Sequence, residues 1–184
     1  MVEFSEIINI TPHIRLEKIA PRHSEDIFTQ IDRHRDYLSN YAQWPRFTKV
    51  LNDSLQFIQL CEQEAKQGES FVWAICVQDE NSKIFHAVGT ISFNKPIDWQ
   101  HRRAEIGYWI SPEMQGRGII TQSVNAITKT TYHAFSEYIL RCAVHNERSN
   151  KVAQRCGFTY IDTLKNGEKI GDHEYNVNIY RKSS

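Results

Sequence analysis

The chemistry this chain could perform concentrates around one short loop. Gln115-Gly116-Arg117-Gly118 is glycine-rich and carries a cation. It follows Ala104-Glu105-Ile106-Gly107-Tyr108-Trp109-Ile110, a β-branched and aromatic run with the composition of a buried strand. Ser111-Pro112 stops that strand, because proline has no N–H to donate. Beyond the loop Ile120, Val124, Ile127 and Thr131 recur at helical spacing. Strand, glycine loop and helix start together make an anion cradle. The loop N–H groups and the positive end of the helix dipole converge, and glycine lets a phosphate approach the backbone closely. Gly-x-Gly alone fits an ordinary strand-to-helix turn better than a phosphate site, so the rest of the chain has to decide.

The elements around the loop follow from pattern. Residues 14–19 alternate apolar and charged, as a half-buried strand does, and Ser24-Glu25-Asp26 opens an acidic helix start. Residues 34–47 interleave Tyr37, Leu38, Tyr41, Trp44 and Phe47 with polar residues, which fits a small aromatic core or a substrate-facing wall. Asp53 caps a helix to Lys66 with Leu55, Ile58, Leu60 and Cys61 inward, and Gly68 ends it. Residues 71–77 and 87–93 read as a hairpin across the turn at 79–82, followed by a polar connector into 104–110. The helix after the loop is expected to reach about residue 135. A strand at 138–144, a short helix from Asn146 to Cys156, a strand at 159–164, a polar loop at Asn166-Gly167 and a strand at 175–181 complete the chain. The fold class is α+β: one mixed sheet with helices, in one domain over residues 1–184.

Composition narrows the function. The chain has 184 residues, enough for one domain with a sizeable core and short for two. Twenty-two Lys and Arg balance 22 Asp and Glu, which removes the electrostatic signature of a nucleic-acid binder. Cys61, Cys76, Cys142 and Cys156 show no Cys-x-x-Cys spacing, and the histidines form no His-Glu-x-x-His. No metal site or disulfide framework is therefore expected. The first residues lack the signature of a signal peptide, and no run approaches about 18 apolar residues. The expected location is cytoplasmic, with no membrane association.

Gln115-Gly116-Arg117-Gly118-Ile119-Ile120 resembles the acetyl-CoA pyrophosphate loop of the GNAT N-acetyltransferases, whose pattern is Arg/Gln-x-x-Gly-x-Gly/Ala. Ile120 departs from it at the closing small residue. With the preceding strand, the stretch more narrowly resembles the RimJ/RimL branch, which acetylates the N-terminal amine of ribosomal proteins. The resemblance spans about residues 14–181 and is most specific at 104–121 and 142–158. It implies a central, mostly antiparallel twisted sheet, splayed where acetyl-CoA binds. It places that co-substrate on Ile110, Gln115, Gly116, Arg117, Gly118, Ile119, Ile120, Thr121, Asn146 and Ser149. Residues 146–158 resemble the second signature, Asn-x-x-Ala-x-x-x-Tyr-x-x-x-Gly-Phe. In many members that tyrosine protonates the departing CoA thiolate; Ala153 stands there, so a tyrosine acid at this place is excluded. Ser149 occupies the alanine position, as in RimL-like proteins, where the hydroxyl lies near the thioester sulfur. Its bland reading is a helix-start hydroxyl bonding nearby backbone.

Two glutamates are candidate bases under the same resemblance. Glu105 matches the base of histone-type relatives, and Glu168 in Leu164-Lys165-Asn166-Gly167-Glu168 matches a stretch of RimL-like proteins. Their alternatives are a strand charge paired with Arg102 or Arg103, and a solvated loop acid. Direct attack needs a neutral amine and no protein nucleophile. Deprotonating an α-amine of pKa about 7.7–8.0 at pH 7 costs about 1 kcal/mol, against nearly ~5 for a lysine at about 10.4. A carboxylate acting through water suffices for the α-amine, and Glu168 is preferred with Glu105 close behind. The expected activity is acetyl transfer to a protein N-terminus. A small-molecule amine as acceptor, and a lapsed acetyl-CoA-binding domain supported by Ile120 and Ala153, are the rivals. Oligomeric state, a homodimer included, is left open.

Overall fold

In the computed structural model, which describes residues 3–79 and 81–184, the chain opens with β1 (Ile7–Thr11) and β2 (Ile14–Lys18). β1 was not anticipated. Its alternation is short, with Ile8 buried and Ile7 exposed, and it forms by antiparallel pairing to β2 rather than by its own pattern. Helices α1 (Ser24–Arg33), α2 (Arg35–Leu38) and α3 (Leu51–Gln67) follow. Asp53 sits inside α3 and reaches back: its Oδ2 accepts the N–H groups of Lys49 and Val50 at 2.7 and 2.9 Å. The helix therefore starts three residues earlier than a cap at Asp53 would give. Ser54, Ile58 and Cys61 face inward, whereas Leu60 is exposed, because the inward stripe follows a 3.6-residue period and Leu60 falls outside it.

β3 (Phe71–Gln78) and β5 (Arg103–Ile110) each pair antiparallel with β4 (Phe85–Phe93), which lies between them. Of the turn expected at 79–82, Glu80 lies outside the described residues, as do Met1 and Val2. α4 (Ile119–Thr131) returns the chain to β6 (Glu137–Ala143), parallel to β5. α4 ends four residues short of the expected boundary. Ala134 and Phe135 instead close a turn on the Thr131 carbonyl and bury themselves. α5 (Glu147–Arg155), β7 (Thr159–Ile170) and β8 (His173–Ser183) complete the molecule. The strand order is β1-β2-β3-β4-β5-β6-β8-β7 in one mixed sheet.

The expected loop at Asn166-Gly167 is a bulge in a long strand. Asn166 takes φ 50°, the pairing slips between Leu164 and Glu168, and Glu168 then pairs with Tyr175. The local signal for a turn was real, but β8 holds β7 through it. The core lies between the sheet and α4, around Trp73, Phe93, Phe135 and Tyr138. Beneath β2, the carboxylate of buried Glu17 is held by Arg15, Arg22 and His23 at 2.6, 2.9 and 3.1 Å. Cys76 lies beside this cluster. The carboxylate is already engaged by two guanidinium groups and makes an ion-pair network, not a metal ligand set.

The feature that positions the site is a gap. β5 and β6 pair from Arg103–Glu137 to Ile106–Leu140 and then separate. Beyond that point β5 stays on β4 as far as Ile110, and β6 stays on β8 as far as Ala143. The sheet is thus open between residues 107–110 and 141–143, as expected for the splayed architecture.

Candidate active site

α5 is pinned over the open end of the sheet. Asn146 Oδ1 accepts the Ser149 N–H at 3.2 Å, the capping bond expected of an asparagine at this place. Buried Asn150 donates to the Ala143 carbonyl at 3.0 Å and accepts from Asn178 and the Tyr180 hydroxyl, each at 2.8 Å. These bonds fix the first turn of α5 against β6 and β8. Among the described residues, the Ser149 hydroxyl bonds no backbone group. It lies 2.8 Å from the Tyr108 hydroxyl on β5 and 3.1 Å from Cys142 Sγ on β6, bridging the separated strands.

Two cavities meet at this point. One of about 510 Å³ is lined by Ile110, Gln115, Gly116, Gly118, Ile119, Ile120, Thr121, Asn146 and Ser149. The other, about 830 Å³, is lined by Glu105, Glu168, Asn146 and Ser149 among others. Leu38, Tyr41, Tyr108, Trp109, Asn146 and Ser149 belong to both. Of the expected residues only Arg117 lines neither; its side chain is exposed. Within residues 34–47, Leu38 packs with Ile27 and Ile31, while Tyr41 and Trp44 line the larger cavity.

The loop has the geometry of an anion cradle. Gly116 and Gly118 adopt φ 75° and 72°, where side-chain-bearing residues are strained, and Gly118 is the N-cap of α4. Among the described residues, the backbone N–H groups of 116–121 find no backbone acceptor. A Cβ on Gly116 would meet nothing within 4 Å, so this backbone faces open space. No acidic side chain occupies the first turn of α4. Gln115 Oε1 accepts from Tyr37 at 3.0 Å and from Arg148, which orients the loop's side wall. These groups fit a diphosphate.

Neither carboxylate takes its bland alternative. Arg103 pairs with Glu137 and Arg102 donates to the carbonyls of His133 and Ala134, so Glu105 is left to the cavity. Its carboxylate accepts from Asn94 Nδ2 at 3.2 Å, and Asn94 in turn accepts from Ser92 at 2.8 Å. Gly107 permits this, since a Cβ there would fall 2.5 Å from Asn94 Oδ1. Glu168 is half-buried on β7, and that burial raises its pKa above the ordinary carboxylate value, against the opposing charges of Arg141 and His145. Tyr108 and Cys142 were missed from sequence. The strand period that placed Ile106 and Ile110 inward puts Tyr108 with them, and a phenol there needs a polar partner. Arg148, Lys151 and Arg155 were also missed. They line the smaller cavity at helical spacing along α5.

A splayed mixed sheet with a backbone anion cradle at the gap defines an acyl-CoA-dependent transferase. The chain belongs to the acetyltransferase (GNAT) domain family, whose profile matches residues 13–159. It is an acyltransferase, and acetyl-CoA is its co-substrate. The ribosomal-protein-serine acetyltransferase of Escherichia coli (strain K12) is 29% identical over 184 residues, 97% of each chain. The crystal structure of microcin C7 self-immunity acetyltransferase MccE, with acetyl-CoA and AMP, superposes with a TM-score of 0.89. It is 27% identical and covers 95% of this chain and 94% of that one. RimL, the ribosomal L7/L12 α-N-protein acetyltransferase in complex with coenzyme A, shares the fold at TM-score 0.89. It is 24% identical over 97% of this chain and 98% of that one.

Proposed function

We propose that this chain, as one N-acetyltransferase unit over residues 1–184, acetylates the N-terminal α-amine of a protein of the ribosomal serine or alanine type, in the cytoplasm. The observation that carries the reading is the meeting of two cavities at Ser149, the smaller behind the backbone cradle and the larger bearing two carboxylates. The ribosomal-protein-serine acetyltransferase relative, aligned along 97% of the chain, supports the acceptor class.

In this reading residues 110–121 and Asn146 hold the co-substrate, with the N–H groups of 116–121 and Arg117 on the diphosphate. The α-amine enters through the larger cavity, where the unpaired ends of β5 and β6 offer backbone groups to an extended chain. Glu168 takes the amine proton through water; its burial lifts its pKa toward that of the amine, which improves the match for proton transfer. Glu105, oriented by Asn94, is the second candidate and would hold the ammonium group on entry. The nitrogen lone pair forms the C–N bond, the C–S bond breaks with its electron pair on sulfur, and the Ser149 hydroxyl hydrogen-bonds that sulfur. A second acceptor class, small amines, is favoured by one feature: Trp44 and Trp109, packed at a tilt with ring centroids 5.4 Å apart, give the larger cavity an aromatic wall.

The test is competition among acceptors. Acetyl-CoA is offered with a Ser-starting peptide, the same peptide with a blocked N-terminus and one free lysine, and spermidine. The expected product is the α-acetyl peptide, in large excess over the others. Efficient acetylation of the blocked peptide, or of spermidine in preference to either, refutes the α-amine assignment.

A further inference from the structure

The larger cavity opens beside an apolar lip. Of its lining residues Gln43, Trp44, Phe57, Lys95 and Arg141 are exposed, so the cavity reaches solvent among them. Trp44 and Phe57 also belong to a wider apolar surface with Phe47, Val50 and Leu60. The five range from 38% exposed at Trp44 to 66% at Phe47. Single exposed apolar side chains are ordinary, but five on one short segment beside a cavity mark a contact surface. The helix keeps them together: Phe57 and Leu60 are one turn apart on α3, and Val50, its N-cap, lies two turns before Phe57.

The lip is held in place and is poor in charge. Arg35 donates to the carbonyls of Pro45, at 2.7 Å, and of Thr48, which fixes the loop carrying Phe47. Residues 50–61 carry one charge, Asp53, and its carboxylate is turned to the N–H groups of Lys49 and Val50. Arg46 turns to the Ser39 carbonyl at 3.2 Å, and at the opening Lys95 is paired with Glu64 and Glu69 at 3.2 and 2.6 Å. We propose that this lip docks the acceptor protein: the stretch of chain that follows its acetylated residue is apolar and lies across Trp44, Phe47, Val50, Phe57 and Leu60. The inference rests on the reading that the acceptor is a protein N-terminus. An α-amine placed beside Glu105 and Glu168 leaves the rest of its chain to exit through the opening, and the apolar lip borders that exit. A second copy seated on the same residues would cover Trp44 and Phe57 and obstruct the route by which the acceptor enters. A surface already fixed in place loses little side-chain freedom when the acceptor covers it. The enzyme thus selects among N-termini by the residues that follow the first, as well as by the amine.

The test compares three Ser-starting peptides with acetyl-CoA: a short one of about four residues, and two of about twelve that share its sequence and continue in a Leu/Val-rich or a Gly/Ser tail. The apolar-tailed peptide is expected to show kcat/KM about tenfold above the other two, through KM, with kcat alike. Phe47→Gln with Leu60→Gln changes two exposed residues that line neither cavity. This double variant should remove the tenfold gain and leave the short peptide's kinetics as in wild type. Equal kcat/KM for all three peptides on the wild-type enzyme overturns the inference alone, and that comparison needs no variant. Failure to acetylate the α-amine of any of them overturns the underlying reading with it. Sedimentation of wild type and the double variant should give one and the same oligomeric state. An assembly that the double variant dissociates assigns this face to a second copy and overturns the inference.

Discussion

Gly118→Ala probes the cradle with the least disturbance. Gly118 has φ 72°, and a Cβ there would find only Gln122 Nε2 at 3.7 Å, an ordinary contact. Nothing in the protein is displaced, so the substitution acts through backbone conformation. An L-residue in the left-handed region costs about 1–2 kcal/mol. Either the loop keeps its shape and carries that strain, or it relaxes and turns an N–H away from the diphosphate. One lost hydrogen bond to a charged group is worth about 1.5–3 kcal/mol, or roughly ten- to a hundredfold in Kd. Gly157→Ala supplies the control: Gly157 has φ 76° with nothing within 4 Å of a Cβ, and it lines neither cavity. Calorimetry should therefore show Gly118→Ala binding acetyl-CoA ten- to a hundredfold more weakly while Gly157→Ala binds normally, with similar losses in Tm. Equal affinity in the two variants would refute the reasoning, because strain without contact would then explain everything.

Other consequences can be checked in parallel. Glu168→Gln should lower kcat/KM most below the amine pKa of about 7.7–8.0 and converge on wild type above it, where the amine is already neutral. Because the Glu168 pKa is raised, the acid edge of that window lies above the ordinary carboxylate range; a constant ratio across pH would remove Glu168 as base. Burial opposes ionisation of Glu17, but Arg22, Arg15 and His23 together bring its pKa down to about 2. A depressed carboxylate stabilises the fold above its unfolded value and loses that as pH falls toward the folded one, so about 3 kcal/mol should drain away between pH about 4.5 and 2. Glu17→Gln should flatten this acid limb in denaturant titrations, and an unchanged limb would contradict the network. Lys151→Ala with Arg155→Ala should raise KM for acetyl-CoA and weaken its salt dependence, leaving kcat near wild type. Loss of kcat with KM unchanged would assign the pair elsewhere.

The parts legible in the sequence are those set by local chemistry. The strand–glycine–helix unit at 104–121, the asparagine cap at 146 and the glycine stop at 68 each declare themselves within a few residues, and all three stand as read. β1 and the continuation of β7 through Asn166-Gly167 did not, because both owe their form to a neighbouring strand. Likewise Ser149 was legible, but its partners were not. Tyr108 and Cys142 are 41 and 7 residues away in sequence, and only the separation of β5 from β6 brings both to one hydroxyl. The pairing of Glu105 with Asn94, not with an adjacent arginine, is decided by the hairpin register in the same way.

The central claim is that acetyl donor and amine acceptor approach Ser149 from opposite cavities. A crystal structure of the protein with coenzyme A and a Ser-starting peptide tests it most directly. The account predicts the diphosphate on the N–H groups of 116–121, the sulfur within hydrogen-bonding reach of Ser149 Oγ, and the peptide α-amine on the side of Glu105 and Glu168. A sulfur remote from Ser149, or a peptide that enters along α5 and not through the larger cavity, would contradict it.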